Sequence, residues 1–87
     1  MAKTDTVDIR VLGHLLRYGY DGHFSAEASR QIAGRQELAI GERGLRKRLA
    51  RLVAAGLVAE GVMTGNTKGY YITEEGRRFV AGLEQQM

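Results

Sequence analysis

Leu45, Leu49, Leu52 and Val53 recur at three- and four-residue intervals and are followed at once by Gly56-Leu57-Val58. That spacing puts the four apolar side chains on one side of a 3.6-residue helix, and Gly56 suits a left-handed stop. Whatever the chain folds into must therefore hold a helix over residues 42–55 that buries this side and runs directly into a strand. At 100° per residue, Arg43, Lys47, Ala50, Arg51 and Ala54 fall opposite the leucines, with Arg46 and Arg48 on the flanks. The outward side is basic, and at Ala50 and Ala54 it is low enough in profile for the helix backbone to approach another surface closely. Reading a DNA major groove needs both properties.

The charge is unevenly spread. The formal net charge is +3, yet residues 1–41 carry five basic and five acidic side chains, and residues 42–87 carry eight and five. Five of those eight lie between Arg43 and Arg51, the electrostatic footprint of phosphate contact. A solvated helix face is the plain alternative for any basic helix. With 87 residues there is room for one core and hence one domain, residues 1–87. The absence of cysteine excludes a disulfide framework and a thiolate metal site. No signal-like apolar run opens the chain, and nowhere are there the ~18 apolar residues of a membrane span. A soluble, cytoplasmic protein without a membrane partner is expected.

Residues 1–5 read as a loose tail, with Asp5 or Thr6 capping a first helix whose stripe is Val7, Ile9, Leu12, Leu15 and Leu16. Arg10 and Arg17 should face water, and His14, beside the stripe, reads as a partly buried structural histidine. Gly19 to His23 is a loop by composition. Phe24 reads as a very short strand that anchors the chain to the core. Ser25 is expected to cap a second helix with Ala28, Ile32 and Ala33 inward and Glu27, Arg30, Gln31 and Arg35 outward, ending at Gly34 or running on to Gln36. Leu38 and Ile40 should plug the gap before the third helix. Residues 57–73 read as a β-hairpin whose tip is Thr64 to Gly69. Thr73 should then cap a last helix over residues 74–86, with Phe79, Val80 and Leu83 on its apolar side.

The order of these elements, with LRKRLARLVAAGLVAEG and GYYITEEGRRFV, resembles the winged helix-turn-helix family of bacterial and phage transcription regulators, MarR-like and PadR-like proteins among them. Leu49, Leu52, Gly56, Leu57 and Val58 match the family's pattern at the end of the helix before the wing. Tyr70, Tyr71, Ile72, Thr73 and Gly76 match its return through a tyrosine-rich strand. The resemblance covers about Val7 to Leu83 and implies an α+β, mainly α fold: a three-helix core, a β-hairpin wing and a C-terminal helix. Two departures stand out: Ile40-Gly41-Glu42 replaces the usual Ser, Thr or Pro at the start of the third helix, and the long extra helices of the MarR type are missing. Glu42 either reads a base or complements the helix dipole.

The resemblance implies a regulator of double-stranded DNA, most simply a repressor, working as a homodimer with its third helix in the major groove. Glu42, Arg43, Arg46, Lys47, Ala50 and Arg51 are then the candidates on that helix, with Arg43 and Lys47 best placed for bases and Arg46 and Arg51 for phosphates. Asn66, Thr67 and Lys68 are the candidates on the wing. Phe79, Val80 and Leu83 are candidates for a dimer surface, or they close the core. Arg48, near the core boundary, is expected to pack its stem and pair with an acid. His14 and His23 have no metal spacing and no nucleophile motif surrounds them, so neither an enzyme, a metal nor a cofactor is expected. No small-molecule ligand is inferred. The competing reading is a winged-helix module, such as a phage-type inhibitor, whose basic surface binds an acidic protein.

Overall fold

The computed structural model describes residues 6–85. Its elements are α1 (Thr6–Arg17), β1 (Glu27–Ala28), α2 (Ser29–Ala33), α3 (Glu42–Ala54), β2 (Val58–Thr64), β3 (Thr67–Ile72) and α4 (Glu74–Gln85). The strands form one antiparallel sheet in the order β1-β3-β2. This is the winged helix-turn-helix order expected from the sequence. Among the described residues no helix is long and apolar enough to cross a membrane. The expected cap Asp5 and the expected end of the last helix at residue 86 lie outside the described residues.

Every element contributes to one core. Val11, Leu12 and Leu15 come from α1, Ile32 from α2, Leu45, Leu49 and Leu52 from α3, Val58 and Ile72 from the sheet, and Val80 from α4. Leu38, buried, and Ile40, packed against the cluster, fill the turn between α2 and α3 as expected. On α1 the buried face is rotated from the expected stripe. Val11 is fully buried while Leu16 is 36% exposed, because Asp8, Val11, Leu12 and Leu15 form the i, i+3, i+4, i+7 face that meets the other helices.

The end of α3 shows how local sequence sets the path into the wing. Leu57 N–H donates to Leu52 O and Gly56 N–H to Val53 O, at 3.0 Å each, with Gly56 at φ +79°. This is the paired bonding that closes a helix through a left-handed glycine. Thr73 does the converse for α4. Its Oγ1 accepts from Gly76 N–H at 3.0 Å and donates to Gly56 O at 2.6 Å, so one hydroxyl caps α4 and ties it to the end of α3. The wing is longer than expected: β2 reaches Thr64 and β3 starts at Thr67, which are paired. Only Gly65 and Asn66 are left as the turn.

The segment from Phe24 to Ala33 departs most from the sequence reading. Ser25 does not cap a helix. It sits in a turn bridged to Gly22, and α2 begins four residues later behind Ala28, which makes no side-chain cap bond. The chain is held extended at Glu27 and Ala28, which pair with Tyr70 and Gly69, and sheet pairing outweighs the capping preference of Ser25. Phe24 is no core anchor: it is 85% exposed, its ring edge-on to His23. Glu27, expected to point outward, is fully buried. The helix does stop at Gly34, one of the two expected ends.

Candidate nucleic-acid interface

On α3 the arrangement follows the helical wheel. Leu45, Leu49 and Leu52 are buried, whereas Glu42, Arg43, Arg46, Lys47, Ala50 and Arg51 are all exposed. Local ion pairs divide the basic residues into two groups. Arg46 donates to Glu42 Oε1 at 2.9 Å across one turn, and Arg48 and Arg51 donate to Asp8 at 3.1 and 3.2 Å. Among the described residues no ion pair engages Arg43 or Lys47. Those two side chains extend from the outermost side of α3, next to the flat surface at Ala50, with their full donor capacity free.

Asp8 was not singled out in the sequence, where it is one of the five acids counted before residue 42. It is 2% exposed and lies under the flank of α3. A buried carboxylate demands compensating charge, and Arg48 and Arg51 supply it. The expected pairing of Arg48 with an acid is thereby accounted for. Arg51 is 46% exposed in its side chain, so one guanidinium edge holds Asp8 while the rest faces outward.

The wing residues reach the start of α3. Asn66, Thr67 and Lys68 share a groove of about 330 Å³ with Glu42 and Arg46, closed on the third side by Ser29 and Arg30 at the start of α2. Lys68 also pairs across the strands with Glu60 at 3.4 Å. Ser29 and Arg30 are thus additional members of this surface. The signal for them in the sequence was masked, because a helix starting at Ser25 turns Ser29 to no particular use. Gly44, Lys47, Arg48, Ala50 and Arg51 line a second, more open depression along α3. Phe79, Val80 and Leu83 are elsewhere, on α4. Val80 belongs to the core, Phe79 is packed against it, and Leu83 is partly buried.

Behind the helix-turn-helix lies a second charged cluster. Glu27 accepts from His14 Nε2 at 2.6 Å through one oxygen, and from Arg35 Nε and Nη2 at 3.0 and 2.6 Å through the other. One carboxylate therefore joins α1, β1 and the end of α2. The Glu27 carboxylate, first through its hydrogen bond and then through its charge, holds the Arg35 guanidinium above its ordinary pKa. Among the described residues no group of three or more His, Asp or Glu is placed to hold a metal ion.

No protein-family model matches the chain, and no curated protein matches it significantly. Solved structures do. TubR from Bacillus megaterium pBM400 superposes with a TM-score of 0.76 at 29% identity, over 90% of this chain and 83% of its own. A "putative DNA-binding protein" from Ralstonia eutropha JMP134 superposes with a TM-score of 0.71 at 26% identity, over 91% of this chain and 95% of its own. With its element order, its capped α3 and wing, and these two likenesses, the chain has the winged-helix fold and is similar to DNA-binding proteins that share it.

Proposed function

We propose that this chain is a small regulator that binds double-stranded DNA in a sequence-dependent way, most simply as a repressor. The observation that carries the reading is the pairing of two surfaces. The free cations Arg43 and Lys47 project from the flat outer side of α3, and a polar groove beside them joins the start of α3 to the wing. In this reading α3 enters the major groove, where Arg43 and Lys47 contact base edges, each good pair giving ~1–3 kcal/mol of discrimination. Arg46, Arg51, Arg30 and Lys68 face the sugar-phosphate backbone, with Asn66 and Thr67 following the backbone or minor groove at the wing.

A homodimer on a two-fold site belongs to the same proposal, since a single module of this size buries little surface for strong specificity. Val80 is used internally and Phe79 packs partly against the same core, which leaves Leu83 and the uncovered part of Phe79 as the α4 candidates for the contact between copies.

The test compares binding to random duplex and to a duplex selected from a random pool, at several salt concentrations. The variant carries Arg46→Ala and Lys47→Ala together. Wild type should bind both duplexes, prefer the selected one, and weaken steeply with salt. The double variant should lose affinity and show a shallower salt dependence. If wild type binds no duplex at low salt, or the substitutions leave binding unchanged, the proposal fails and an acidic protein becomes the partner to seek.

A further inference from the structure

A groove of about 320 Å³ runs between α1 and the turn that joins α2 to α3. Arg10, His14, Arg17 and Tyr18 line one wall, and Glu37 and Leu38 the other. Gly13 also lines the groove, and the space beside it is open: a Cβ built there would meet nothing within 4 Å. The volume lies at the small end of ligand pockets, roughly 300–1,000 Å³.

Its floor is unusual in one atom. His14 is 5% exposed, and its Nε2 is committed to Glu27. The Glu27 carboxylate, which faces Arg35 with its other oxygen, can only accept, so Nε2 carries the hydrogen and in the neutral ring Nδ1 presents a lone pair. Among the described residues, Nδ1 is the one buried side-chain nitrogen or oxygen with no hydrogen-bond partner. Glu37 Oε1 stands 3.7 Å away, too far for a bond and itself an acceptor. Buried polar atoms are seldom left this way, and here the ring is fixed in place by a carboxylate that is fixed in turn by Arg35.

The two halves of the groove have opposite character. With the ring neutral, His14 Nδ1 accepts a hydrogen bond, as does the Glu37 carboxylate, whose side chain is 54% exposed and so free to adjust. Arg10 and Arg17 donate and carry positive charge. The Tyr18 ring has the Arg17 guanidinium at 5.9 Å and that of Arg35 at 5.5 Å. A simple anion satisfies the arginines and leaves Nδ1 and Glu37 facing it with lone pairs. A simple cation meets the reverse mismatch.

We propose that this groove binds a small zwitterion of the amino acid class. The ammonium group donates to His14 Nδ1 and Glu37, the carboxylate is held by Arg10 and Arg17, and the side chain lies against Tyr18 and Leu38. Occupation bears on α3, because Glu37 and Leu38 lead into Ala39, a non-glycine residue at φ +51°, and from there to the first turn of α3. Drawing Glu37 toward an ammonium shifts the turn that sets where α3 begins. The sequence offered no sign of a ligand, since it lacks the added helices that build a separate effector pocket. This groove is made within the helix-turn-helix itself.

The test follows the His14 ring nitrogens by long-range ¹H–¹⁵N spectroscopy on the full chain. Each of the standard amino acids is titrated, and acetate and methylammonium are titrated separately. At least one amino acid should shift Nδ1 in a saturable way below about 10 mM, with acetate and methylammonium at least about tenfold weaker. Arg10→Gln with Arg17→Gln, and separately Glu37→Gln, should each weaken that binding by about tenfold, as expected for loss of charge-assisted bonds. Lys47→Gln should leave it unchanged. The proposal is overturned if no amino acid shifts Nδ1 saturably, if acetate or methylammonium alone binds as well, or if Glu37→Gln has no effect. None of these readouts involves DNA, so the result stands apart from that of the proposed function.

Discussion

Gly61 on β2 lies directly opposite Gly69 on β3, and the methyl group of Ala26 sits over the pair. The chain from Tyr20 to Ala26 crosses the sheet at this saddle. Along the way His23 O accepts from Val62 N–H and Tyr20 O accepts from Ile72 N–H, both at 2.8 Å. The wing is therefore strapped down near its base by the loop that follows α1. Side chains on the two opposed positions would lift the strap.

Replacing Gly61 with alanine tests this. The added Cβ would fall 2.6 Å from Ala26 Cβ and 2.7 Å from His23 O. Overpacking against backbone costs typically ~1–3 kcal/mol, and denaturant titration should show a loss in that range. Combining it with Ala26→Gly should recover only part, because the clash with the His23 carbonyl remains.

Glu27→Gln removes the charge at the centre of the buried cluster. Breaking a buried pair from one side costs ~3–5 kcal/mol when both partners are enclosed. The Arg35 side chain is 34% exposed and partly rehydrates, so a loss of about 2–3 kcal/mol is expected in chemical denaturation. Because the Arg35 pKa is raised in the fold, its contribution is fully present below the ordinary arginine value and fades only as pH climbs through the raised one. The loss on substitution that is due to Arg35 should therefore be the same throughout neutral pH.

Asp8→Asn separates stability from charge. The variant should be less stable, since Arg48 and Arg51 lose their buried anion, and should unfold at lower denaturant. Its affinity for random duplex DNA should nevertheless rise, with the salt slope steeper by about 1, the increment for one further phosphate contact. A fall in affinity measured well below the unfolding midpoint would mean that Asp8 serves chiefly to hold α3 in its DNA-facing position.

Glu42→Gln addresses the first residue of α3. Glu42 engages Arg46 at 2.9 Å, and both are exposed. Releasing Arg46 and removing a negative charge should strengthen binding to every duplex and steepen its salt dependence. A loss confined to one base position of a selected site would show instead that the carboxylate reads a base, as an acceptor from cytosine N4 does.

How much of this was legible before folding varies along the chain. From Leu45 to Thr73 the sequence reading and the structure agree closely: the leucine face, the left-handed Gly56 and the Thr73 cap appear where expected, and the hairpin does too, though with a tighter turn than its composition suggested. Each depends on neighbours within a few residues, through helical periodicity or a capping hydroxyl. The outward positions of Arg43, Lys47 and Ala50 follow from the same geometry. Between Phe24 and Ala33 the same local rules misled, since Ser25 followed by apolar residues has the pattern of a helix start.

The difference lies in the range of the interactions that decide each segment. By itself the sequence determined α3, its basic outer side, the hairpin and the cap on α4, because these are settled by short-range bonding and by which face of a helix is apolar. Only the tertiary structure decided that Glu27 is buried and Phe24 exposed. Glu27 is drawn inward by His14, 13 residues before it, and by Arg35, 8 residues after it, and it lies in a strand whose partner is Tyr70. A carboxylate can be buried only where compensating charge and hydrogen bonds converge on it. That convergence exists once α1, β3 and the turn after α2 are in place, and no local pattern records it.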